Sequence, residues 1–285
     1  MAILDNRPTL VVGATGSVGA LVLAELRQLG VPVRASSRHP EPGRFPADVD
    51  VFAADLTDAD SLIRAFDGAR QVFLYANPHG VDTVITAARA AALERIVVMS
   101  SGSIIHTTSA GNAITEEHRQ VEDAFAAAAD IAVVPLRPLV LANNALSWAY
   151  PIRAGRALAL YQPDAATAPI HERDIAAVAV AALTRGPSAD VSAMLTGPAM
   201  LTQREQVAAI ARAIGRPIAI EELSRDAAAE QFSRFMPAPE AEAVLQFLDD
   251  AAAGNSPATD ATSRILGRPA LTFDEWATDH SADFA

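Results

Sequence analysis

The chain has 285 residues, of which 51% are hydrophobic and 20% are charged, with a net charge of -12 at neutral pH. That length and apolar content allow one large α/β core, alone or with a small second lobe, and argue against disorder. The acidic balance and the lack of a basic run exclude nucleic acid and anionic membrane surfaces as expected partners. Cysteine and lysine are both absent, so thiolate chemistry, zinc–thiolate sites and every lysine-dependent mechanism are excluded. With no signal-peptide pattern and no apolar run long enough to cross a membrane, we expect a cytoplasmic protein.

Strands and helices alternate through the first half of the chain at the spacing of βαβ units. The predicted strands cover residues 9–13, 31–36, 50–54, 70–75, 95–100 and 131–136. The predicted helices between them cover residues 17–29, 58–67, 80–92 and 114–129. This alternation predicts an α/β fold with a Rossmann-type, doubly wound parallel sheet and right-handed crossovers. The strands are almost continuously apolar, which is typical of a sheet buried on both faces.

The first strand runs directly into three glycines, Gly13, Gly16 and Gly19, that open the first helix. Gly13 permits a tight turn, Gly16 lets a phosphate approach the backbone, and Gly19 lets helix and strand pack closely. The helix N-terminus then offers unpaired N–H groups and a positive dipole end to a pyrophosphate. The pattern predicts a dinucleotide site, although glycine-rich turns of this kind also occur without a nucleotide.

The end of the second strand selects between the two nicotinamide dinucleotides. An acidic side chain there binds the ribose 2′-hydroxyl of NAD, whereas arginine accommodates the 2′-phosphate of NADP. The chain has Ser37 and Arg38 at this place and no carboxylate before Glu41. We therefore expect NADPH as cofactor, with NADH as the alternative, and the remaining interpretation is that Arg38 is a solvated surface residue.

Further polar residues follow the third and fourth strands. Asp55 is placed to accept the adenine amino group while Leu56 lies against the ring, but Asp55 is equally suited to cap the helix at 58–67. Ala76 and Asn77 lie at the carboxyl end of the fourth strand, where ligands of such sheets bind. The residues expected to contact the cofactor are Gly13, Thr15, Gly16, Ser17, Val18, Ser37, Arg38, Asp55, Leu56, Ala76, Asn77 and Pro138.

Beyond about residue 140 the alternation loosens. Helical patterns cover residues 203–214 and 225–253, and the latter is interrupted by Pro237 and Pro239, which predicts two helices joined by a bend. The expected organisation is a dinucleotide-binding domain over 1–145, joined by parts of 165–200, and a smaller substrate lobe over 146–285 with a helical lid around 222–255. No set of His, Asp and Glu residues has metal-ligand spacing, so no metal is expected.

Several motifs in chain order resemble the NmrA-like atypical short-chain dehydrogenases/reductases. These are Gly13-Ala14-Thr15-Gly16, Asp55-Leu56-Thr57, Ser100-Ser101, Leu136-Arg137-Pro138, His171-Glu172-Arg173-Asp174, Leu195-Thr196-Gly197-Pro198, Gly215-Arg216-Pro217-Ile218 and Phe273-Asp274-Glu275-Trp276. The resemblance covers almost the whole chain and implies the fold and the NAD(P)H cofactor. It leaves the substrate open, because such proteins include quinone and ketone reductases, sugar-type enzymes and silent redox sensors.

The chain departs from typical short-chain reductases at the proton donor. Those enzymes use a tyrosine four residues before a lysine, and this chain has no lysine and only three tyrosines. The helix at 114–129 instead resembles the His-x-x-x-Glu helix of quinone-reductase-like members, which implies that His118 contacts the nicotinamide ribose or donates a proton. The alternative is a surface histidine with Glu122 as its i,i+4 partner. Ser101, after the fifth strand, is the expected hydroxyl at the substrate carbonyl, with Ser100 and Ser103 as alternatives.

Two other polar motifs receive weaker assignments. His106, Asn143 and Asn144 are further candidates near the expected cleft, and His39, His79 and His280 are expected at the surface. Asp174 is expected to have a structural role, as the cap of a helix that begins at Ile175.

These observations favour an NADPH-dependent reductase, a monomer or homodimer, that acts on a small apolar or aromatic ketone or quinone. An aromatic polyketide-type ketone from an antibiotic pathway is one such substrate, because its own phenol stabilises the developing alkoxide. The alternative is a redox sensor that binds NADP and reduces nothing.

Overall fold

The computed structural model describes residues 6–185 and 189–285, which form two compact units. The first unit contains the described part of Met1–Ser101, Glu117–Arg137 and Ile175–Ala193. The second contains Gly102–Glu116, Pro138–Asp174 and Met194–Ala285. The chain therefore passes between the units several times, whereas the sequence suggested a main division at residue 145.

A parallel sheet forms the centre of the first unit. Its strands are β1 (Thr9–Val12), β2 (Val33–Ser37), β3 (Asp50–Ala53), β4 (Gln71–Tyr75), β5 (Arg95–Met99) and β6 (Ala132–Pro138). They lie in the order β3-β2-β1-β4-β5-β6, and Val11 of β1 pairs with Ala35 on one side and Phe73 on the other. The strand order reverses between β1 and β4, and in open α/β sheets ligands bind at this switch point. The predicted Rossmann-type α/β fold is confirmed.

Helices between these strands pack against the sheet. They are α1 (Ser17–Gln28), α2 (Ala59–Phe66), α3 (Val81–Ala90) and α4 (Ala113–Ala127). Leu10, Val72 and Ile96 of the strands are fully buried, and Leu10 and Val72 share a core with Phe66 of α2. Burying a side chain of this size contributes about 1.5–3 kcal/mol. This packing fixes the carboxyl ends of the strands, where the candidate site lies.

The second unit contains short strands and the remaining helices. In chain order these are α5 (Ala149–Arg153), β7 (Leu158–Tyr161), β8 (Ala166–Thr167), α6 (Glu172–Thr184), β9 (Met194–Leu195), β10 (Leu201–Thr202), α7 (Gln203–Ile214), β11 (Ile220–Leu223), α8 (Arg225–Phe232), α9 (Ala238–Ala252), α10 (Ala261–Leu266), α11 (Phe273–Asp279) and α12 (Ser281–Phe284), and α6 continues into the first unit. Strand β7 pairs with β11 in parallel and β8 pairs with β10 antiparallel. Trp276 is fully buried and stacks on Phe273 in the core of this unit.

The predicted break between two helices near the paired prolines is confirmed. Helix α8 ends at Phe232, and α9 begins at Ala238, directly after Pro237. Proline is tolerated in the first turn of a helix but not in its interior, so the two prolines set the start of α9. Among the described residues, no helix has the length and apolar character needed to span a membrane.

Candidate active site

The three glycines of the β1–α1 turn have the geometry that their spacing predicts. Gly13 has a φ of +69°, a conformation that favours glycine. A Cβ atom on Gly19 would lie 2.4 Å from the carbonyl oxygen of Gly13, so only glycine allows this approach of helix and turn. The predicted close packing of helix and strand is confirmed.

The N-terminus of α1 has the properties of an anion site. Its N-cap is Gly16, which has no side chain to cap the helix, and its first turn contains no acidic residue. The first amides of a helix have no partner within the helix, and the helix dipole favours negative charge there. These features fit the pyrophosphate of a dinucleotide. Thr15 and Ser17 are exposed beside this turn, whereas the Val18 side chain is buried and leaves its backbone N–H as the group that can bind a ligand.

Tyr75, the last residue of β4, points its ring at the same turn. The N–H of Gly19 donates a hydrogen bond of 2.9 Å to the Tyr75 hydroxyl. Atom Cε2 of the ring lies 2.9 Å from the position of a Cβ on Gly13, and the hydroxyl oxygen lies 3.1 Å from that of a Cβ on Gly16. The sequence pattern places Tyr75 near the site as part of a strand end, but nothing in it predicts this contact.

The end of β2 presents Ser37 and Arg38 next to Asp55. Ser37 is buried and Arg38 is exposed. The N–H and the hydroxyl of Thr57 donate hydrogen bonds of 2.8 and 2.7 Å to Asp55 Oδ1, and these lower the pKa of Asp55. The charges of Arg38 and His39 lower the same pKa further.

Asp55 does not cap helix α2. The N-cap is Asp58, whose Oδ1 accepts hydrogen bonds from the N–H groups of Asp60 and Ser61 at 3.0 and 3.2 Å. The alternative role considered for Asp55 is therefore wrong. The reason is local, because the Asp55 carboxylate already accepts from Thr57.

The turn after β4 packs against Leu56. A Cβ on Gly80 would lie 2.5 Å from the carbonyl oxygen of Leu56, so glycine is required at the start of α3. Asn77 Oδ1 accepts a hydrogen bond of 2.9 Å from the N–H of His79, which fixes the turn that contains the half-buried Ala76. Leu56 and Asn77, both expected to contact the cofactor, thus belong to two adjoining segments.

A cavity of about 410 Å³ adjoins the glycine turn, and its lining includes Thr15, Arg27 and Arg44. Arg27 pairs with Asp48 at 2.7 Å. Arg44 adds a second arginine to the region that follows β2. Its place in a glycine- and proline-rich stretch, outside any strand or helix, explains why the sequence pattern gives no sign of it.

The residues expected to act on the substrate follow β5 or lie in α4. Ser101 comes two residues after the end of β5, and His118 is half-buried in α4. The adjacent Ser100 is buried, its Oγ has no hydrogen-bond partner in the described part of the chain, and its N–H donates to the carbonyl oxygen of Leu136 at 2.8 Å. An unpartnered buried hydroxyl at this strand end makes Ser100 a second candidate. The roles of Ser101 and His118, and of Pro138 at the end of β6, stay predictions.

Glu122, considered as a helical partner of His118, is bound to Arg137. The Nε of Arg137 donates to Glu122 Oε1 at 3.0 Å, and its Nη2 donates to Oε2. Arg137 also donates to the carbonyl oxygen of Ser192 at 2.9 Å. Both oxygens of the Glu122 carboxylate are therefore engaged in joining α4 to β6.

Two other polar candidates have structural roles in the second unit. His106 is buried, with Nδ1 2.9 Å from the Ser109 hydroxyl and Nε2 3.0 Å from the carbonyl oxygen of Asn255. Asn143 Oδ1 accepts a hydrogen bond of 2.8 Å from the indole N–H of Trp276. Both side chains join segments that are distant in sequence, so a structural role explains them and no role in ligand binding is needed.

The motif at 171–174 begins helix α6 earlier than expected. The helix starts at Glu172, and His171 Nδ1 accepts the N–H of Arg173 at 3.2 Å. The predicted cap of a helix at Ile175 by Asp174 is therefore wrong. Asp174 is fully buried, and its Oδ2 accepts the N–H of Leu271 at 2.7 Å, so its role is to hold a distant segment of the same unit.

Glu172 lies between two imidazole rings. Its Oε1 is 2.6 Å from Nε2 of His280, and its Oε2 is 3.1 Å from Nδ1 of His171. Burial alone raises the pKa of Glu172, but the two imidazoles beside its carboxylate outweigh burial and hold the pKa at about 2. Burial lowers the pKa of His280, and hydrogen bonds to Glu172 and Asp283 more than reverse this and raise it.

The expectation that His280 is a surface residue is wrong, whereas His39 and His79 are exposed as predicted. The side chain of His280 is only 19% exposed, because its ring stacks on Trp276 with centroids 4.6 Å apart. The described residues contain no group of three or more His, Cys, Asp or Glu side chains that could hold a metal ion.

Comparison with known proteins agrees with this geometry. A family model described as NAD(P)H-binding matches residues 13–186. The chain is 38% identical to a (4-alkanoyl-5-oxo-2,5-dihydrofuran-3-yl)methyl phosphate reductase of Streptomyces griseus, over 97% of this chain and 99% of the relative. It is 31% identical to an NAD(P)H azoreductase of Xenophilus azovorans, over 96% of this chain and 98% of the relative.

Solved structures show the same fold. An NADPH-dependent quinone oxidoreductase of Escherichia coli in complex with NADPH has a TM-score of 0.76 at 22% identity, covering 95% of this chain and 99% of that one. A triphenylmethane reductase of Citrobacter sp. with NADP(H) has a TM-score of 0.74 at 20% identity, covering 96% and 99%. The chain therefore belongs to the NAD(P)H-binding family and is an NAD(P)H-dependent reductase.

Proposed function

We propose that the protein uses NADPH to reduce a ketone, quinone or conjugated enone whose own structure delocalises the negative charge that reduction creates. The observation that carries this proposal is that the chain has the glycine turn of a dinucleotide site but no lysine. NADPH supplies the hydride, so the protein needs only to bind, orient and protect the acceptor.

The three tyrosines support a mechanism without the usual tyrosine–lysine pair. Tyr75 is engaged with the α1 amides, and the exposed ring of Tyr150 packs against Arg156. Tyr161 donates a hydrogen bond of 2.5 Å to Asp249. Burial and this carboxylate raise the pKa of Tyr161, which makes it a weaker acid. None of the three therefore has the environment of an activated proton donor.

A substrate that stabilises its own charge needs little help from an acid. The name of the Streptomyces relative describes reduction of an unsaturated dihydrofuran compound with two carbonyl groups, the ring oxo group and the alkanoyl group. Hydride addition to a carbon β to such carbonyls gives a delocalised enolate, and hydride addition to a quinone gives a delocalised phenolate. In a phenolic aromatic ketone, the phenol gives its proton to the new alkoxide and becomes the delocalised phenolate. The final proton then comes from His118 or from water, with Ser101 as the hydrogen-bond donor to the carbonyl oxygen.

Residues at the ends of different strands are suited to bind different parts of the cofactor. Arg38 is suited to pair with the 2′-phosphate that distinguishes NADPH from NADH, and Ser37 lies beside it. Asp55 accepts the adenine amino group while Leu56 contacts the ring. Arg44 is a further cation near the glycine turn, because it lines a cavity together with Thr15.

The α8–α9 segment of the second unit supports an apolar substrate. Phe235, in the bend between the helices, is 82% exposed, which is unusual for a large aromatic side chain. Leu245 of α9 is fully buried and belongs to the core, so the lid function proposed for this segment rests on the bend and not on the whole of α9.

The test is NADPH oxidation measured with a panel of quinones, enones and phenolic aromatic ketones, alongside NADPH binding without substrate. Turnover with the conjugated acceptors and not with simple aliphatic ketones supports the proposal. His118→Gln should then lower kcat and leave NADPH affinity unchanged, with His79→Gln on the exposed turn as control. Tight NADPH binding without turnover on any acceptor would instead indicate a silent NADP-binding sensor.

A further inference from the structure

Tyr75 occupies space that the glycine turn leaves open. Its ring and hydroxyl lie against Gly13 and Gly16 at distances that leave little room for a side chain at either position. The ring also packs edge-on against Phe73, with centroids 5.5 Å apart, so it is held in place from within the sheet. The two glycines therefore accommodate an aromatic ring of the protein itself.

The hydroxyl of Tyr75 also occupies the amides that a phosphate needs. The N–H of Gly19 donates to it at 2.9 Å, and the N–H of Val18 interacts with it as well. Both belong to the first turn of α1, where N–H groups have no partner inside the helix. A pyrophosphate at the α1 N-terminus seeks the same donors.

We propose that the Tyr75 hydroxyl is an internal occupant of the phosphate site, which leaves the α1 amides when the dinucleotide binds. The proposal rests on dinucleotide binding at the glycine turn and is independent of the substrate. Phosphate displaces the hydroxyl because hydrogen bonds to a charged oxygen are about twice as strong as those between neutral groups. Burial raises the pKa of Tyr75, so the hydroxyl stays neutral and remains the weaker acceptor.

Displacement lowers cofactor affinity, because hydrogen bonds of the free protein are lost on binding. Tyr75→Phe keeps the ring and removes the competing oxygen. One or two neutral hydrogen bonds correspond to a decrease of about threefold to tenfold in Kd. NADPH and NADH share the pyrophosphate, so both should bind more tightly by the same factor, and the ratio of their Kd values should not change.

The test is titration calorimetry of wild type and Tyr75→Phe with NADPH and with NADH. Tyr150→Phe is the matched control, because it removes a hydroxyl from an exposed ring. Equal tightening for both dinucleotides in Tyr75→Phe alone supports the proposal. An unchanged Kd overturns it, and a higher Kd also overturns it, because the hydroxyl would then be a donor to the bound phosphate.

A second measurement observes Tyr75 in the wild-type protein. The chain has three tyrosines, so a wild-type sample with ¹³C at tyrosine Cζ gives few signals, and the one lost in Tyr75→Phe, or in Tyr75→Leu, is assigned to Tyr75. NADP⁺ should shift this signal strongly. A Tyr75 signal that stays fixed at saturating NADP⁺ refutes the displacement, whereas failure of wild type to bind either dinucleotide refutes the cofactor assignment itself.

Discussion

Replacing Glu172 by glutamine should destabilise the protein in a pH-dependent way. Glu172 is 7% exposed and lies between His171 and His280, which Asp279 and Asp283 contact from their other sides. Glutamine is close to isosteric, so the substitution removes the charge while it preserves the packing. It leaves the imidazole of His280 facing an amide in place of a carboxylate.

The size of the effect follows from the pKa of Glu172. A folded pKa of about 2 against an ordinary value of 4.5 corresponds to about 3 kcal/mol of stabilisation. Because the pKa of Glu172 is lowered on folding, its carboxylate stabilises the folded protein above pH 4.5, and this contribution is lost as pH falls toward 2. Because the pKa of His280 is raised on folding, its imidazolium stabilises the folded protein below pH 6.5. This contribution is lost as pH rises through the pKa of His280 in the folded protein. The effect is therefore greatest between these two limits.

Thermal unfolding of wild type and Glu172→Gln across pH measures this effect. Near pH 5.5 the variant should unfold roughly 5–10 °C lower, and the difference should shrink at about pH 9 and near pH 2. Glu221→Gln, at an exposed position of β11, is the control and should change little. A difference that is constant across pH, or a variant as stable as wild type at pH 5.5, would refute the assignment of the Glu172 environment.

Three further perturbations test the site and its support. Arg38→Ala should weaken NADPH binding by about tenfold to a hundredfold and leave NADH nearly unchanged, and equal losses for both would contradict the 2′-phosphate role. Gly19→Ala should lower the unfolding free energy by about 1–3 kcal/mol and impair binding of both dinucleotides, because its Cβ would lie 2.4 Å from the carbonyl oxygen of Gly13. Wild-type stability and affinity of this variant would show that the turn tolerates a side chain. Asp174→Ala should cost about 1–3 kcal/mol by leaving the N–H of Leu271 without its acceptor, and a wild-type thermal midpoint would show that another group replaces it.

The strands of the sheet are accessible from the sequence because the signals are local. Apolar runs that end in glycine or small polar residues set β1 to β6 within one or two residues of their observed limits. The paired prolines likewise set the break before α9. The positions of Gly13 and Gly19 in the sequence predict the turn between β1 and α1, because backbone geometry alone explains the role of both glycines.

Contacts between segments distant in sequence were not accessible. The position of the Tyr75 ring depends on β4 lying beside β1, which only the folded sheet establishes. His280 is shielded because α11 places Trp276 beneath its ring, and a lone histidine near a chain end gives no sign of this. Even a local role was missed, because the sequence suggested Asp55 as a cap of the helix at 58–67, whereas Asp58 caps it and Asp55 accepts from Thr57. The roles of side chains therefore depend more on long-range packing than the positions of the strands and helices do.

The most direct measurement of the proposed chemistry uses a conjugated enone and NADPH that carries deuterium at both C4 positions, so that transfer from either face delivers the label. The transferred deuterium then remains in a C–D bond of the product. Mass spectrometry of the product should show one deuterium on the carbon that accepts the hydride, with one NADPH oxidised per product formed. NADPH that binds but is not oxidised by any enone or quinone, or a product without the label, would contradict the account.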